Sequence, residues 1–204
     1  TLNIPIYLYE YAAKEEKRKN LANVRSGEYE GLKEKISKKE WKPDFGLAFN
    51  KKSGATAIGV RDFLIAYNIN LNTKSTRLAN AIAFDVREKG RIKRKGHPVI
   101  GDIVYDKNGN PEKIPGSLKH VKAIGWYIDE FGIAQISMNL TNITETPIHT
   151  VFDEVSKKAE IRGARVTGSE LVGLIPLKSI LDAGKYFLKK QNRSIGIPEI
   201  DIIK

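Results

Sequence analysis

Apolar and polar residues alternate along residues 2–9, with Leu2, Ile4, Ile6 and Leu8 set against Asn3, Pro5, Tyr7 and Tyr9. Period two predicts a strand with one buried face. Residues 14–42 are charged and helical in character, so this strand has no obvious neighbour before the turn-rich stretch 41–59. From there the pattern becomes regular. FLIAYNINL (63–71) alternates as a strand. Thr73 is a candidate N-cap for a helix with Leu78, Ala81, Ile82 and Val86 on one face and Gly90 as its stop. Residues 91–115 form a polar excursion with the turn signal KNGNP. VKAIGWYID (121–129) and IAQISMNL (133–140) flank EFG and predict a β-hairpin. Thr146 and Pro147 open a helix with Ile148, Val151, Phe152, Val155 and Ala159 on one stripe, ending near Gly163. ELVGLIP (170–176) predicts another strand, and a last helix carries Leu177, Ile180, Leu181, Gly184 and Leu188.

The order strand, helix, strand, strand, helix, strand, helix predicts an α/β (α+β) fold. It is a split βαβ, ferredoxin-like arrangement: a four-stranded antiparallel sheet with helices on one face, plus the tail of a second, similar subdomain. The division expected is 1–55 for the end of the first unit and 56–204 for the second. One-sided helices leave the other sheet face open. Alternation places Asn68, Asn70, Gln135, Ser137 and Asn139 on it. Amide and hydroxyl groups there suit a heterocycle with several hydrogen-bonding edges as well as they suit water.

Composition narrows the function classes. The 204 residues contain no cysteine, which excludes disulfides, thiolate metal sites and a cysteine nucleophile within them. No apolar run approaches the roughly 20 residues of a membrane span, and the first residues lack a basic signal-peptide start, so a cytoplasmic protein is expected. A net charge of +11 suggests an anionic partner, with the excess concentrated at 14–20 (KEEKRKN) and 91–95 (RIKRK). Those clusters read equally as solvated helix faces and a basic loop.

The three histidines, His97, His120 and His149, show no metal-ligand or triad spacing. His149, beside an apolar stripe at a helix start, suits a structural role. Two glycine-bracketed lysine stretches draw more interest, because glycine admits backbone amides to an anion and lysine supplies charge. They are GLAFNKKSG (46–54) and GSLKHVKAIG (116–125).

WKPDFG, then GAT, RDFLIAYNINL, LKHVKAIGWYID, AQISMNLTN, HTVFDEV and GSELVGLIPLKSILDAG follow one another in an order that resembles the formiminotransferase domain of glutamate formimidoyltransferases, which also occurs fused to a cyclodeaminase. The resemblance covers nearly the whole chain except 91–115, a family-atypical insertion. It implies two similar α/β subdomains with a folate cleft between them. The implied reaction is a transfer of the formimino group from N-formimino-L-glutamate to N5 of tetrahydrofolate in histidine degradation, with tetrahydrofolate as co-substrate and no metal. It further implies folate contacts at Gly46, Leu47, Ala48, Phe49, Asn50, Lys51, Lys52, Ser53 and Gly54, and at Gly116, Ser117, Leu118, Lys119, His120, Val121, Lys122, Ala123, Ile124 and Gly125. The first of these loops is one residue shorter than in other members.

No catalytic residue is assigned. The family's catalytic histidine belongs to a His-Pro-Arg-Met-Gly type motif earlier in the first subdomain. His97 and Pro98 imitate two letters of it, but Val99, Ile100 and Gly101 follow. This chain by itself is therefore expected to be inactive and to be part of a longer enzyme, working as a homodimer without nucleic-acid or membrane partners. The competing class is a non-catalytic RNA-binding module, which would need exposed aromatics on the central strands. Trp126 and Tyr127 are adjacent and point to opposite faces, and IAQISMNL has none.

Overall fold

The computed structural model describes residues 3–97 and 100–191, so the expectations for Leu2, Pro98 and Val99 lie outside the described residues. The chain divides into two compact units, residues 1–62 and 63–204.

In the first unit, β1 (Ile6–Glu10) pairs in parallel with β2 (Thr56–Val60), Leu8 standing beside Ile58. The missing neighbour of β1 thus comes from the stretch assigned to a turn-rich link, and this unit runs seven residues beyond the expected boundary at 55. Two short helices, α1 (Leu21–Arg25) and α2 (Leu32–Ser37), pack on the strands. The inward face of β1 is the opposite of the one expected. Tyr7 and Pro5 are buried, while Ile6 and Leu8 are half-buried. Tyr7 joins Val24, Leu32 and Ile36 in a small core, where its hydroxyl donates to the Trp41 carbonyl at 2.6 Å. A phenol with a satisfied polar end buries more surface there than an isoleucine would.

Polar groups complete this small core. Arg18 is buried and meets the equally buried Asp44 carboxylate at 3.0 Å, and the same Asp44 oxygen accepts from the Leu8 amide at 2.8 Å. Lys35 Nζ donates to the carbonyls of Asn23 and Val24, each at 2.7 Å, and of Ser26 at 3.0 Å. It thereby gives the Val24 and Ser26 carbonyls at the end of α1 a donor, and adds a second to the Asn23 carbonyl, which already accepts from the Ser26 amide.

In the second unit, β3 (Ile65–Leu71) is followed by α3 (Thr76–Val86), and α3 is capped by the Ser75 hydroxyl rather than by Thr73. The excursion is two small antiparallel ladders. β4 (Arg91–Ile92) pairs with β7 (Lys113–Ile114), and β5 (Arg94–Lys95) pairs with β6 (Asp102–Ile103). The hairpin is β8 (Val121–Ile128) and β9 (Ile133–Leu140); then come α4 (Ile148–Ile161), β10 (Val166–Val172) and α5 (Leu177–Lys190). The last strand lies four residues earlier than the expected 170–176. Strand order is β10-β3-β9-β8, with every neighbouring pair antiparallel.

Ile65, Tyr67, Ile69 and Leu71 of β3 and Ala134, Ile136, Met138 and Leu140 of β9 form one core with Ala79, Ile82, Ala83 and Val86 of α3 and Val151, Val155 and Ala159 of α4. The α5 stripe behaves differently. Leu177 and Ile180 are exposed, and the helix buries Ser179 and Ala183 instead.

Both basic clusters are partly paired with carboxylates. Lys14 and Arg18 meet Asp44, Lys17 meets Glu15 and Lys19 meets Glu16. In the second cluster Arg91 meets Asp85, Lys93 meets Glu112, and Arg94 donates to the Gly101 carbonyl. Neither forms a free cationic stripe.

Candidate functional site

The loop 46–54 belongs to the first unit. Gly46 has φ +68° and a Cβ there would lie 2.8 Å from the Ile4 carbonyl oxygen, so only glycine fits. Asn50 organises the tip: its side-chain oxygen accepts from the Lys52 and Ser53 amides, and its carbonyl accepts from Gly54. Lys51 and Lys52 are thereby held out in solvent. Phe49 packs near Tyr29, with ring centroids 5.9 Å apart, and Tyr29 donates to the Lys51 carbonyl at 2.7 Å. Behind the tip, Ser53 and Gly54 help line a cavity of about 310 Å³ together with Tyr7, Arg25, Tyr29 and Lys35. Burial pushes the Lys35 ammonium below its ordinary pKa and the Tyr7 phenol above its own. Arg25 makes no ion pair among the described residues, which leaves a cation at the cavity wall.

The stretch 116–125 belongs to the second unit and is built differently from the expected anion cradle. A Cβ on Gly116 would lie 2.0 Å from the Arg87 carbonyl oxygen, and one on Gly125 would lie 2.3 Å from the Asn80 amide nitrogen. Both glycines let this segment press against α3. The amides are already committed: Ser117 and Leu118 donate to the Asp85 and Val86 carbonyls at the end of α3, and His120 donates to Glu88. Leu118, Val121 and Ala123 point into the core. Solvent meets Ser117, Lys119, Lys122 and Ile124. His120 adopts φ +54°; its Nε2 lies 2.9 Å from Glu145, which also approaches Lys119 Nζ at 3.7 Å. Lys122 stands opposite Asn139 on the sheet face away from α3 and α4.

That open face carries a network absent from the sequence expectations. Trp126 Nε1 donates to Gln135 Oε1 at 2.9 Å; Gln135 Nε2 donates to Asn70 Oδ1 at 2.7 Å and to Glu170 Oε2 at 3.2 Å; Asn68 Nδ2 donates to the same Glu170 oxygen at 3.4 Å. Four strands are linked side chain to side chain. Gln135 is fully buried and Asn68 nearly so, although both belong to the solvent side of the sheet. The alternation of β3 and β9 predicts Asn68, Asn70 and Gln135 there. Trp126 follows from the hairpin register. Glu170 does not, because its strand was placed too late.

His149 borders a second cavity of about 550 Å³ between α4 and α5, stacked on Tyr186 with centroids 4.5 Å apart. Its Nδ1 is buried without a hydrogen-bond partner among the described residues, and burial pushes its pKa below the ordinary value. No group of three or more acidic or histidine side chains suited to a metal occurs among the described residues. Likewise, no helix there is long and apolar enough to cross a membrane. The RNA-binding alternative finds no support. Trp126 is tied to Gln135, and β9 brings no aromatic to the face.

Comparison with known proteins matches both units. Residues 66–204 match the family model described as formiminotransferase domain, and residues 1–61 match the formiminotransferase domain, N-terminal subdomain. The chain is 48% identical over 193 residues to a formimidoyltransferase-cyclodeaminase of Dictyostelium discoideum, covering 94% of this chain and 32% of that protein. It is 38% identical over 190 residues to a glutamate formimidoyltransferase of Thermoplasma acidophilum, covering 92% and 54%. The corresponding enzyme of Streptococcus pyogenes serotype M1 is 34% identical over 192 residues, covering 94% and 56%. The chain thus spans between about a third and just over half of these relatives. With the domain model matching residues 66–204, more than half of the chain, and the N-terminal subdomain model matching residues 1–61, the chain belongs to the formiminotransferase domain family.

Proposed function

We propose that the protein containing this chain transfers a formimino group from N-formimino-L-glutamate to N5 of tetrahydrofolate, a step of histidine degradation in the cytoplasm. The family match across both units carries this reading. Residues 1–62 serve as part of an N-terminal formiminotransferase subdomain, and the second unit serves as the C-terminal subdomain in a ferredoxin-like, split βαβ form. The working assembly is a homodimer.

In the reaction, the N5 lone pair attacks the formimino carbon to give a tetrahedral intermediate. The carbon–nitrogen bond to glutamate then breaks, and the proton lost from N5 is matched by one gained on the leaving amine. Holding two reactants in register lowers such a barrier by roughly 7 to 11 kcal/mol in favourable cases. In this reading the chain contributes that holding. Lys51 and Lys52 at the tip of 46–54, with Arg25 at the adjoining cavity wall, attract the anionic glutamyl part of folate. In 116–125 the exposed Lys119 and Lys122 act in the same way, while the glycines shape the segment.

Incubating the purified full-length protein that contains this chain with both substrates, and following glutamate release together with 5-formiminotetrahydrofolate, tests the reading. Stoichiometric formation of the two products is expected. Tight, salt-sensitive RNA binding with no affinity for tetrahydrofolate would overturn it.

A further inference from the structure

Helices α4 and α5 open on one cavity. Pro147 precedes α4 and Pro176 precedes α5, and both prolines line the space of about 550 Å³ between the two helices. A proline has no side-chain oxygen to accept from first-turn amides, and neither helix carries an acidic residue in its first turn. Each N-terminus therefore presents N–H groups and positive partial charge with no capping group or first-turn carboxylate to balance it.

The side chains add to this. Lys178, Asp182, Lys185 and Lys189 follow one another at i, i+4, i+7 and i+11, so they share one face of α5, and all four line the cavity. Lys178 is matched by Asp182 at 2.7 Å. Lys185 and Lys189 make no ion pair among the described residues, which leaves two positive charges at the cavity. Ser179 is an independent sign of a ligand: it is only 8% exposed, it lines the cavity, and its hydroxyl makes no hydrogen bond among the described residues. A buried hydroxyl left unpaired is destabilising, so a ligand that accepts from it gains a bond with little competition from water. Tyr186 forms a wall of fixed orientation. Its hydroxyl donates to Asp153 at 2.6 Å, and its ring stacks on His149.

Positive helix ends, two unmatched lysines and a buried hydroxyl donor together select an anion with several acceptor oxygens. A phosphate monoester carries a charge of about −1.5 to −2 at pH 7 and three such oxygens, more than a carboxylate offers on either count. Inorganic phosphate alone would leave most of the volume empty, and cavities of this size hold small organic molecules. We infer that the cavity between α4 and α5 binds a small organic phosphate, its phosphate held by the helix ends, Ser179 and the lysines, and its organic part packed on Tyr186. The site shares no residue with the two lysine stretches or with the polar network of the open sheet face, and the inference does not depend on the folate reading.

Phenyl phosphate, inorganic phosphate and phenylacetate would be titrated calorimetrically into the full-length protein that contains this chain, with and without 5-formyltetrahydrofolate. Thermal unfolding checks that each variant folds. The parent is expected to bind phenyl phosphate more tightly than either other probe, and equally well when the folate is present. Ser179→Ala, which keeps the bulk and suits a helix, is expected to weaken phenyl phosphate binding about 10-fold, as for a lost hydrogen bond to a charged group. Lys185→Gln combined with Lys189→Gln is expected to weaken it several-fold at low salt and less at high salt. Both lysines are exposed, so this double variant decides the matter should Ser179→Ala fail to fold. Unchanged affinity in either folded variant would overturn the assignment, as would a parent that binds none of the probes or binds phenylacetate or inorganic phosphate as tightly as phenyl phosphate. Displacement of phenyl phosphate by the folate would overturn it too, by placing the anion in the folate site.

Discussion

Asn80 on α3 clasps Gly125 on β8 in both directions: its Nδ2 donates to the Gly125 carbonyl at 3.0 Å, and its Oδ1 accepts the Gly125 amide at 3.1 Å. The contact spans 45 residues of sequence and brings helix backbone to strand backbone with no room for a side chain between them. Gly125 therefore joins α3 to the sheet.

Gly125→Ala is accordingly expected to destabilise the second unit by about 1 to 3 kcal/mol or more, because its Cβ meets helix backbone, which cannot swing aside as a flexible side chain would. Asn80→Ala is expected to cost about 1 to 3 kcal/mol through the two strand groups left unpaired. Chemical denaturation of the two single variants and the double variant checks both. Additive losses would show that the clasp and the close approach act independently.

Much of this unit was legible from alternation alone. β3 and β9 each carry an unbroken apolar set at every second position, and the stripe of α4 is regular, so their faces follow from period. β10 was not, because Gly168 and Ser169 read as turn formers whereas Leu174 and Ile175 extend the apolar run toward Pro176. The structure instead leaves Leu174 at 97% exposure, outside the strand. The same limit hid the site. Glycine bracketing of residues 116–125 is visible in sequence, but only the approach of α3 shows that Gly116 and Gly125 serve packing. Trp126 and Gln135 are joined through a local hairpin. Their link to Glu170 depends on a β10–β3 pairing that lies about a hundred residues apart in sequence.

Lys119 lies on an exposed segment, and its nearest carboxylate is Glu145 at 3.7 Å. An exposed pair of this kind contributes at most about 1 kcal/mol, so Lys119→Glu is expected to shift the unfolding midpoint little. If the segment faces folate, the same change replaces attraction by repulsion for an anionic ligand and adds a second carboxylate beside Glu145. Tetrahydrofolate affinity is expected to fall several-fold at low salt and to recover partly at high salt. Unchanged affinity at low salt would remove Lys119 from the site.

In the first unit, Asp44 accepts from both the Arg18 guanidinium and the Leu8 amide, and the Arg18 and Asp44 side chains are only 4% and 3% exposed. Removing one member of a buried pair strands the other's charge, so Asp44→Ala is expected to destabilise this unit by about 3 to 5 kcal/mol. Replacing both partners together should cost less than the sum of the single changes. Denaturation of Asp44→Ala, Arg18→Met and the double variant measures the coupling, and strict additivity would show that the pair does not act as one.

His149 provides a pH test. Burial lowers its pKa below the ordinary value, against weaker opposing attraction from Asp182 and Asp153. The folded state therefore binds this proton less readily than the unfolded chain. Stability associated with His149 is fully present above the unfolded value of about 6.5 and is lost as pH falls through the folded pKa. His149→Phe keeps an aromatic ring against Tyr186 and cannot take up a proton. The parent is expected to lose thermal stability more steeply than His149→Phe between about pH 7 and pH 5, with the two curves parallel above that range. Unfolding midpoints recorded across the series check this. Parallel curves throughout would mean that His149 titrates alike in both states, and a steeper loss in His149→Phe would reverse the sign derived from its burial.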